Sequence, residues 1–224
     1  MKPLTIAIDG PVGAGKSTIS DEVAKRLGIL HLDTGAMYRA VGLAAVQNGI
    51  DPRDEDAVCR LCKDGRTQVD VKYENGHQIT LLNGVDVSAA IRTQEAGSAA
   101  SAVSRYQPVR KMLVARQQEM AQQQSMLLDG RDIGTVVLKD ATVKIYLTAS
   151  AQARATRRRN QLLEKGTDVP IDQILSEVNA RDYQDTHRAV DPLRQAEDAV
   201  LLDSSSLSFE ETVEAILNLV EEHA

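Results

Sequence analysis

With 224 residues, 42% of them hydrophobic and 26% charged, the chain is long enough to bury one core with an insertion and too apolar to be disordered. Its formal net charge of −6 excludes general attraction to nucleic acid or anionic lipid, so any phosphate site must be a local concentration of cations. No apolar run approaches the roughly 20 residues of a membrane span and no basic, apolar leader opens the sequence, so a cytoplasmic protein without a membrane partner is expected.

Leu4 to Asp9 reads as a short buried strand. The segment after it, Gly10-Pro11-Val12-Gly13-Ala14-Gly15-Lys16-Ser17-Thr18, fits G-x-x-x-x-G-K-[ST]. In that pattern glycines let the backbone curl so that its N–H groups point at phosphate oxygens, and the following helix adds the positive end of its dipole. Lys16 would reach the β- and γ-phosphates and Ser17 would hold Mg²⁺. A plain glycine-rich turn would need neither the lysine nor the hydroxyl. The helix from Gly15 to Leu27 stops at Gly28 and is followed by a strand at Leu30 to Leu32. Asp33-Thr34-Gly35-Ala36-Met37-Tyr38-Arg39 then opens a helix running from Ala36 to Gln47. Asp33 and Arg39 either face the ligand crevice at the strand's end or serve as a helix cap and a surface charge.

Cys59 and Cys62 form an isolated C-x-x-C in a helical pattern, with no second pair and no histidine nearby in sequence, which favours a structural role over zinc or redox chemistry. From Thr67 to Ser88 the rhythm changes to alternating runs broken by Asn75-Gly76 and Asn83-Gly84, the signature of hairpins. A small antiparallel sheet is therefore inserted here, within a segment spanning about 64–106 that also holds a helical stretch from Thr93 to Val103. Further helices are predicted at Pro108 to Gln123, Ala151 to Lys165, Ile171 to Thr186 and Ser208 to Glu222. Further strands are predicted at Met126 to Asp129, Val143 to Thr148 and Ala199 to Asp203. Five strands alternating with helices predict an α/β fold with a mostly parallel sheet covered on both faces.

Three more clusters carry chemistry. Asp129-Gly130-Arg131-Asp132 closes a strand, where an acid can serve the metal or its water shell and an arginine can grip phosphate bidentately; a tight Asp-Gly turn is the plainer reading. Arg154, Arg157, Arg158 and Arg159 lie on one helix, with Arg157 and Arg158 able to share the Arg154 face and Arg159 directed to solvent. Gly166-Thr167-Asp168 then interrupts the chain before Pro170, as a mobile lid over about 154–169 requires. Arg181, Asp185 and Arg188 are spaced four and three along a helical stripe, either a surface ladder or part of a ligand site. Glu177 sits four residues before Arg181 in the orientation that stabilises a helix, whereas Asp185 follows Arg181 in the weaker one, which tilts Asp185 toward a ligand.

IDGPVGAGKST, LDTGAMYRA, the inserted hairpins, IRTQEAGSAAS, VRKMLVARQ, LDGRDIGTVV and ARDYQDTHRAVDPL occur in this order along nearly the whole chain. With them the sequence resembles the bacterial cytidylate kinases, members of the nucleoside monophosphate kinases. The resemblance implies a single P-loop NTPase domain over 1–224, with a five-stranded parallel sheet flanked by helices, an inserted NMP-binding subdomain and a short helical lid. It implies transfer of the γ-phosphoryl of ATP to CMP or dCMP, with Mg²⁺, in pyrimidine nucleotide metabolism, by a monomer. By the family pattern Gly10 to Thr18 hold the donor. Arg39 and Arg131 hold the acceptor phosphate, Arg188 joins the charge clamp, and Thr34 lies among the acceptor contacts. Ser101, Arg110 and Asp132 read the cytosine edge, and Arg181 and Asp185 address the sugar. Lys16, Arg131, Arg157 and Arg188 carry catalysis, with Arg154 or Arg158 as a second lid arginine. Ser17 departs from the glycine many members carry, which leaves the sharing of Mg²⁺ between Ser17 and Thr18 open.

Arginine outnumbers lysine 17 to 9, and its planar fork suits bidentate phosphate contacts. An acceptor that is already an anionic phosphate needs alignment and charge neutralisation more than a base. Two other readings remain: another small-acceptor P-loop kinase, acting on AMP, UMP or shikimate, or a non-catalytic nucleotide switch. The latter would leave the arginine-rich second half unexplained, and the N-K-x-D segment of regulatory GTPases is absent. The inserted segment and the lid are expected to close over both ligands.

Overall fold

The computed structural model describes residues 3–164 and 166–223. Its centre is β1 (Thr5–Asp9), in which every residue is buried. Because side chains alternate along a strand, Ile6 and Ile8 enter one core and Ala7 the other. On the first face α1 (Lys16–Leu27) and α8 (Phe209–His223) supply Ile19, Val23, Val213 and Ile216. On the second, α2 (Thr34–Gln47) and α5 (Gln107–Gln123) supply Met37, Val41, Val109 and Leu113. A strand covered on both sides needs a continuous apolar run, and Thr-Ile-Ala-Ile-Asp comes close to one.

β2 (Leu30–Asp33), β6 (Met126–Gly130), β7 (Val143–Thr148) and β8 (Val200–Asp203) complete a five-stranded sheet of order β2-β6-β1-β7-β8. All its pairings are parallel, with Ile8 opposite Asp129 and Ile6 opposite Val143. The parallel sheet expected from the sequence is present, with boundaries shifted by a residue or two. Helix α2 starts earlier than Ala36, because the Asp33 side chain accepts from the Ala36 N–H at 3.1 Å and so caps the turn that begins at Thr34. Lys165, assigned to the helix after β7, lies outside the described residues, as do Met1, Lys2 and Ala224. That helix is α6 (Ala151–Glu164), packed on α7 (Ile171–His187) through Ala155, Ile174 and Val178. Among the described residues two short elements were not foreseen: a 3-10 turn over Ala90–Arg92 and a single π-helical turn over Ile133–Val137, directly after β6.

α3 (Glu55–Lys63) carries Cys59 and Cys62 into the core beside Val58 and Leu61. Burial raises both thiols, Cys62 to about 11, which disfavours thiolate chemistry. The inserted sheet consists of β3 (Val69–Glu74), β4 (His77–Leu82) and β5 (Val85–Asp86), joined antiparallel. Both Asn-Gly pairs have positive φ at both positions, the backbone that a two-residue hairpin turn demands. This sheet is fastened to the end of β2. Gln78 Oε1 accepts from the Asp33 N–H at 2.7 Å, and the Tyr73 hydroxyl donates to the His31 carbonyl at 3.0 Å. α4 (Gln94–Val103) lies across α2 at Gly42, where a Cβ would come within 2.7 Å of the Ala99 Cβ. Gly42→Ala is therefore expected to force the two helices apart and lower stability by about 1–3 kcal/mol, read as a shift in the urea midpoint; an unchanged midpoint would show that α4 is not seated on α2.

Candidate active site

Because the sheet is parallel, the carboxyl ends of β1, β2, β6 and β7 open on one edge, and the chemistry-bearing segments gather there. The loop after β1 turns at Gly10, where a Cβ would collide with the Leu147 carbonyl, and enters α1 through Gly15 in the left-handed conformation at φ 87°. Lys16 folds back over this loop, its Nζ donating to the carbonyls of Gly10 at 2.8 Å and Pro11 at 2.9 Å. Burial, and then the nearby Arg131 charge, push its ammonium down to about 7. Val12, Gly13, Gly15, Ser17 and Thr18 line the cleft with it, while Ala14 is fully buried beneath.

The Ser17 hydroxyl donates to Asp129 Oδ2 at 3.0 Å, and His31 Nε2 bonds Asp129 Oδ1 at 2.8 Å. Burial opposes ionisation of Asp129, yet His31, Lys16 and Ser17 together hold its carboxyl below the usual range. Hydroxyl and carboxylate oxygens are the hard donors that suit Mg²⁺, which takes few protein ligands and completes its shell with water and phosphate. Among the described residues no group of three or more histidine, cysteine, aspartate or glutamate side chains is placed to hold a metal. Thr34 donates to the Asp129 carbonyl at 2.8 Å, and Asp9 accepts the N–H groups of Ile133 and Gly134 at 2.7 and 2.8 Å. Asp9 thereby pins the π-helical turn behind the Asp129–Asp132 corner.

The cleft, 380 Å³ in volume, is faced by Arg39, Arg131, Arg157, Arg158, Arg181 and Arg188. Arg39 pairs with Asp33 at 2.5 Å. Asp185, almost fully buried, accepts from Arg131 at 2.7 Å and Arg181 at 3.2 Å. Asp132 is held between Arg110 and Arg188, and Arg110 also donates to Asp191 Oδ2 at 2.6 Å and stands 5.7 Å above the Tyr38 ring. Burial pushes Asp132 upward against these two arginines.

Most of the residues singled out from sequence thus meet in one place, with three differences. Arg110 is 2% exposed and sits behind the cleft wall. Ser101 opens on an adjoining cavity of 1160 Å³, its hydroxyl accepting from Gln184 Nε2 at 2.5 Å, while Ser104 lines the cleft with Asp132. Of the α6 arginines, Arg157 reaches Ser204 Oγ at 3.1 Å, Arg158 reaches Gln94 Oε1 at 2.9 Å and Arg159 faces outward to Asp168 at 3.3 Å. Arg154 is buried among backbone carbonyls and Asp182. Sequence reasoning passed over Asp182, Asp191, Ser104 and Ser204; Asp182 and Asp191 lay in the quoted ARDYQDTHRAVDPL run, and the two serines carry no local signal.

A phosphate loop after the central strand of a parallel sheet, facing an arginine-lined cleft, defines a P-loop phosphotransferase. The cytidylate kinase family model matches residues 6–222, and the chain belongs to that family. It is 49% identical to a cytidylate kinase of Caldicellulosiruptor bescii, covering 98% of this chain and 96% of the relative. It is 43% identical to that of Bacillus subtilis, covering 99% and 98%. Among solved structures, a gluconokinase from Sinorhizobium meliloti shares the fold at a TM-score of 0.50 and 12% identity over 98% of this chain and 93% of that one.

Burial raises the Asp9 carboxyl from its ordinary 3.8 to about 6, so the folded state keeps a proton that the unfolded chain releases. The stability this contributes is full below the unfolded value and lost as pH rises through about 6. Relative to Asp9→Asn, which cannot titrate, the parent's urea midpoint should fall between pH 4 and pH 7; a gap that stays constant would show that Asp9 ionises freely in the fold.

Proposed function

We propose that this chain transfers the γ-phosphoryl group of ATP to CMP or dCMP, giving ADP and CDP or dCDP, as a cytoplasmic monomer in pyrimidine nucleotide metabolism. The observation that carries the reading is Asp132. It is a buried carboxylate clasped by Arg110 and Arg188 on the wall of an arginine-rich cleft that faces the phosphate loop. A carboxylate can accept from the exocyclic amine of cytosine, while hydroxyl and guanidinium donors serve N3 and O2. Ser101 and Arg110 belong to that edge in this reading, and Ser104 adds a further hydroxyl.

The acceptor's phosphate oxygen attacks the γ-phosphorus. The bond from that phosphorus to the β-γ bridging oxygen breaks, and its electron pair leaves on ADP. The attacking oxygen carries no proton to remove, so the protein aligns and neutralises. Gly10 to Thr18 cradle the donor, and Lys16 gives up its loop carbonyls for the β- and γ-phosphates. Arg39 and Arg131 grip the acceptor phosphate with Thr34 beside them, Arg188 joins the clamp, Arg157 approaches the transferred group from the lid, and Arg181 and Asp185 face the sugar. Ser17, paired with Asp129, would hold Mg²⁺, which when bound neutralises the phosphate oxygens. Closure of the inserted segment, about 64–106, and of the lid, about 154–169, excludes water from both ligands.

A coupled assay with Mg-ATP against CMP, dCMP, UMP, AMP and GMP tests the reading. Turnover should favour CMP and dCMP; equal turnover of UMP and CMP overturns the cytosine assignment, and none with any acceptor favours a switch protein. Asp132→Ala should cut the CMP-to-UMP ratio of kcat/KM by at least about tenfold, the loss expected for a charged hydrogen bond, while KM for ATP stays near the parent's. In small-angle scattering a bisubstrate analogue should shrink the radius of gyration, and an unchanged radius would remove closure from the account.

A further inference from the structure

Arg154 lies in the first turn of α6, and its side chain is 6% exposed. Its Nε donates to the Ala149 carbonyl at 2.8 Å. Its Nη1 donates to the Val12 carbonyl at 2.9 Å and to Asp182 Oδ1 at 3.0 Å, and its Nη2 donates to Asp182 Oδ2 at 2.6 Å. Four of the five guanidinium protons are thereby engaged within the protein. The stem of the same residue also lies against the loop, since a Cβ on Gly13 would stand 3.3 Å from the Arg154 Cβ.

The contact with Val12 sets the direction of a neighbouring group. In a trans peptide the carbonyl of one residue and the N–H of the next point opposite ways. With the Val12 carbonyl drawn toward Arg154, the Gly13 N–H is turned away from it, and Gly13 lines the cleft. Asp182 in turn belongs to α7, the helix that carries Arg181 and Asp185 and ends immediately before Arg188. A single buried guanidinium therefore joins the back of the phosphate loop to the helix of the acceptor side.

We propose that Arg154 and Asp182 are positioning residues for the donor: Asp182 fixes the Arg154 guanidinium, and Arg154 holds the Val12–Gly13 peptide so that the Gly13 N–H faces the donor's phosphates. Arg154 is then distinct from Arg157 and Arg158, which face the cleft. Asp182 has a role although it touches no ligand. Without Asp182 the guanidinium is left buried with only carbonyl partners, and a charge so placed shifts toward solvent or another anion and lets the peptide turn.

This inference rests on the loop binding ATP, so binding of a non-hydrolysable ATP analogue to the parent chain is measured first; failure there overturns the donor reading itself. Affinity for that analogue, and the KM values of ATP and CMP, are then compared for Asp182→Asn, Asp182→Glu, Arg154→Ala, Arg154→Lys and the Asp182→Asn/Arg154→Ala double variant, alongside thermal unfolding. Asp182→Asn and Arg154→Ala should each weaken the analogue by about tenfold, the effect of losing a charge-assisted hydrogen bond, with KM for CMP within about twofold of the parent. The double variant should be no weaker than Arg154→Ala, because the two residues act in series. Asp182→Glu should restore part of the affinity and Arg154→Lys, which lacks the fork, should not. If Asp182→Asn leaves the analogue bound as well as before, or better, while Arg154→Ala weakens it, Arg154 touches the donor directly and the proposal is overturned. Equal losses for ATP and CMP that follow the melting temperature would also overturn it, by reducing the pair to a structural brace.

Discussion

Keeping arginines charged beneath the surface is the constraint on which the site depends. A guanidinium does not shed its proton when buried, so each one placed in the interior must meet an anion or a set of carbonyls. Asp132 serves Arg110 and Arg188, Asp185 serves Arg131 and Arg181, and Asp182 serves Arg154. These pairs account for the position of α7, which contributes Arg181, Asp182 and Asp185 and ends immediately before Arg188. In such a lattice a phosphate can share the arginines with carboxylates already in place, and little has to be reorganised when it binds.

The sheet explains why the lattice forms at one edge. Order β2-β6-β1-β7-β8 places β1 between β6 and β7, so the phosphate loop leaves the middle of the sheet with Asp129 on one side and the approach to α6 on the other. The parallel register sets Asp33 opposite Asp129 and Asp9 opposite Gly130, one residue further on, which brings three acids to the same edge of the sheet. Their fates differ because their partners differ. Asp33 caps α2 and holds Arg39. Asp129 is kept ionised by His31, Lys16 and Ser17, and Asp9, facing two backbone N–H groups, is driven up by burial.

The parts of this arrangement that depend on neighbours in sequence were legible beforehand. The phosphate loop combines a strand, a glycine pattern and a helix start within a short stretch, and the hairpins announce themselves through Asn-Gly because few other pairs tolerate positive φ twice. Helix α1 ends where Gly28 predicts. The parts fixed by distant partners were not legible. The π-helical turn over Ile133–Val137 depends on a carboxylate in β1, 124 residues earlier in the chain. The same limit applies to Arg154. Its spacing from Arg157 and Arg158 suggests a shared face, yet Asp182 and the Val12 carbonyl draw its head under the loop. Helical periodicity specifies where a side chain starts, and a long arginine then follows the nearest anion.

Lysine and arginine divide the work of the site along this line. The arginines stay charged whatever occupies the cleft, and their carboxylate partners hold them in place. Among the described residues Lys16 has no carboxylate within hydrogen-bonding distance; it is held by two loop carbonyls, and burial brings its ammonium to about 7. Its charge is thus the conditional one, favoured by an anion in the loop and disfavoured without one. In the function proposed, a bound polyphosphate would draw Lys16 from the Gly10 and Pro11 carbonyls while the loop itself keeps its shape. That shape has to be secured from another direction, and the Arg154 guanidinium, bonded to the neighbouring Val12 carbonyl, is placed to secure it.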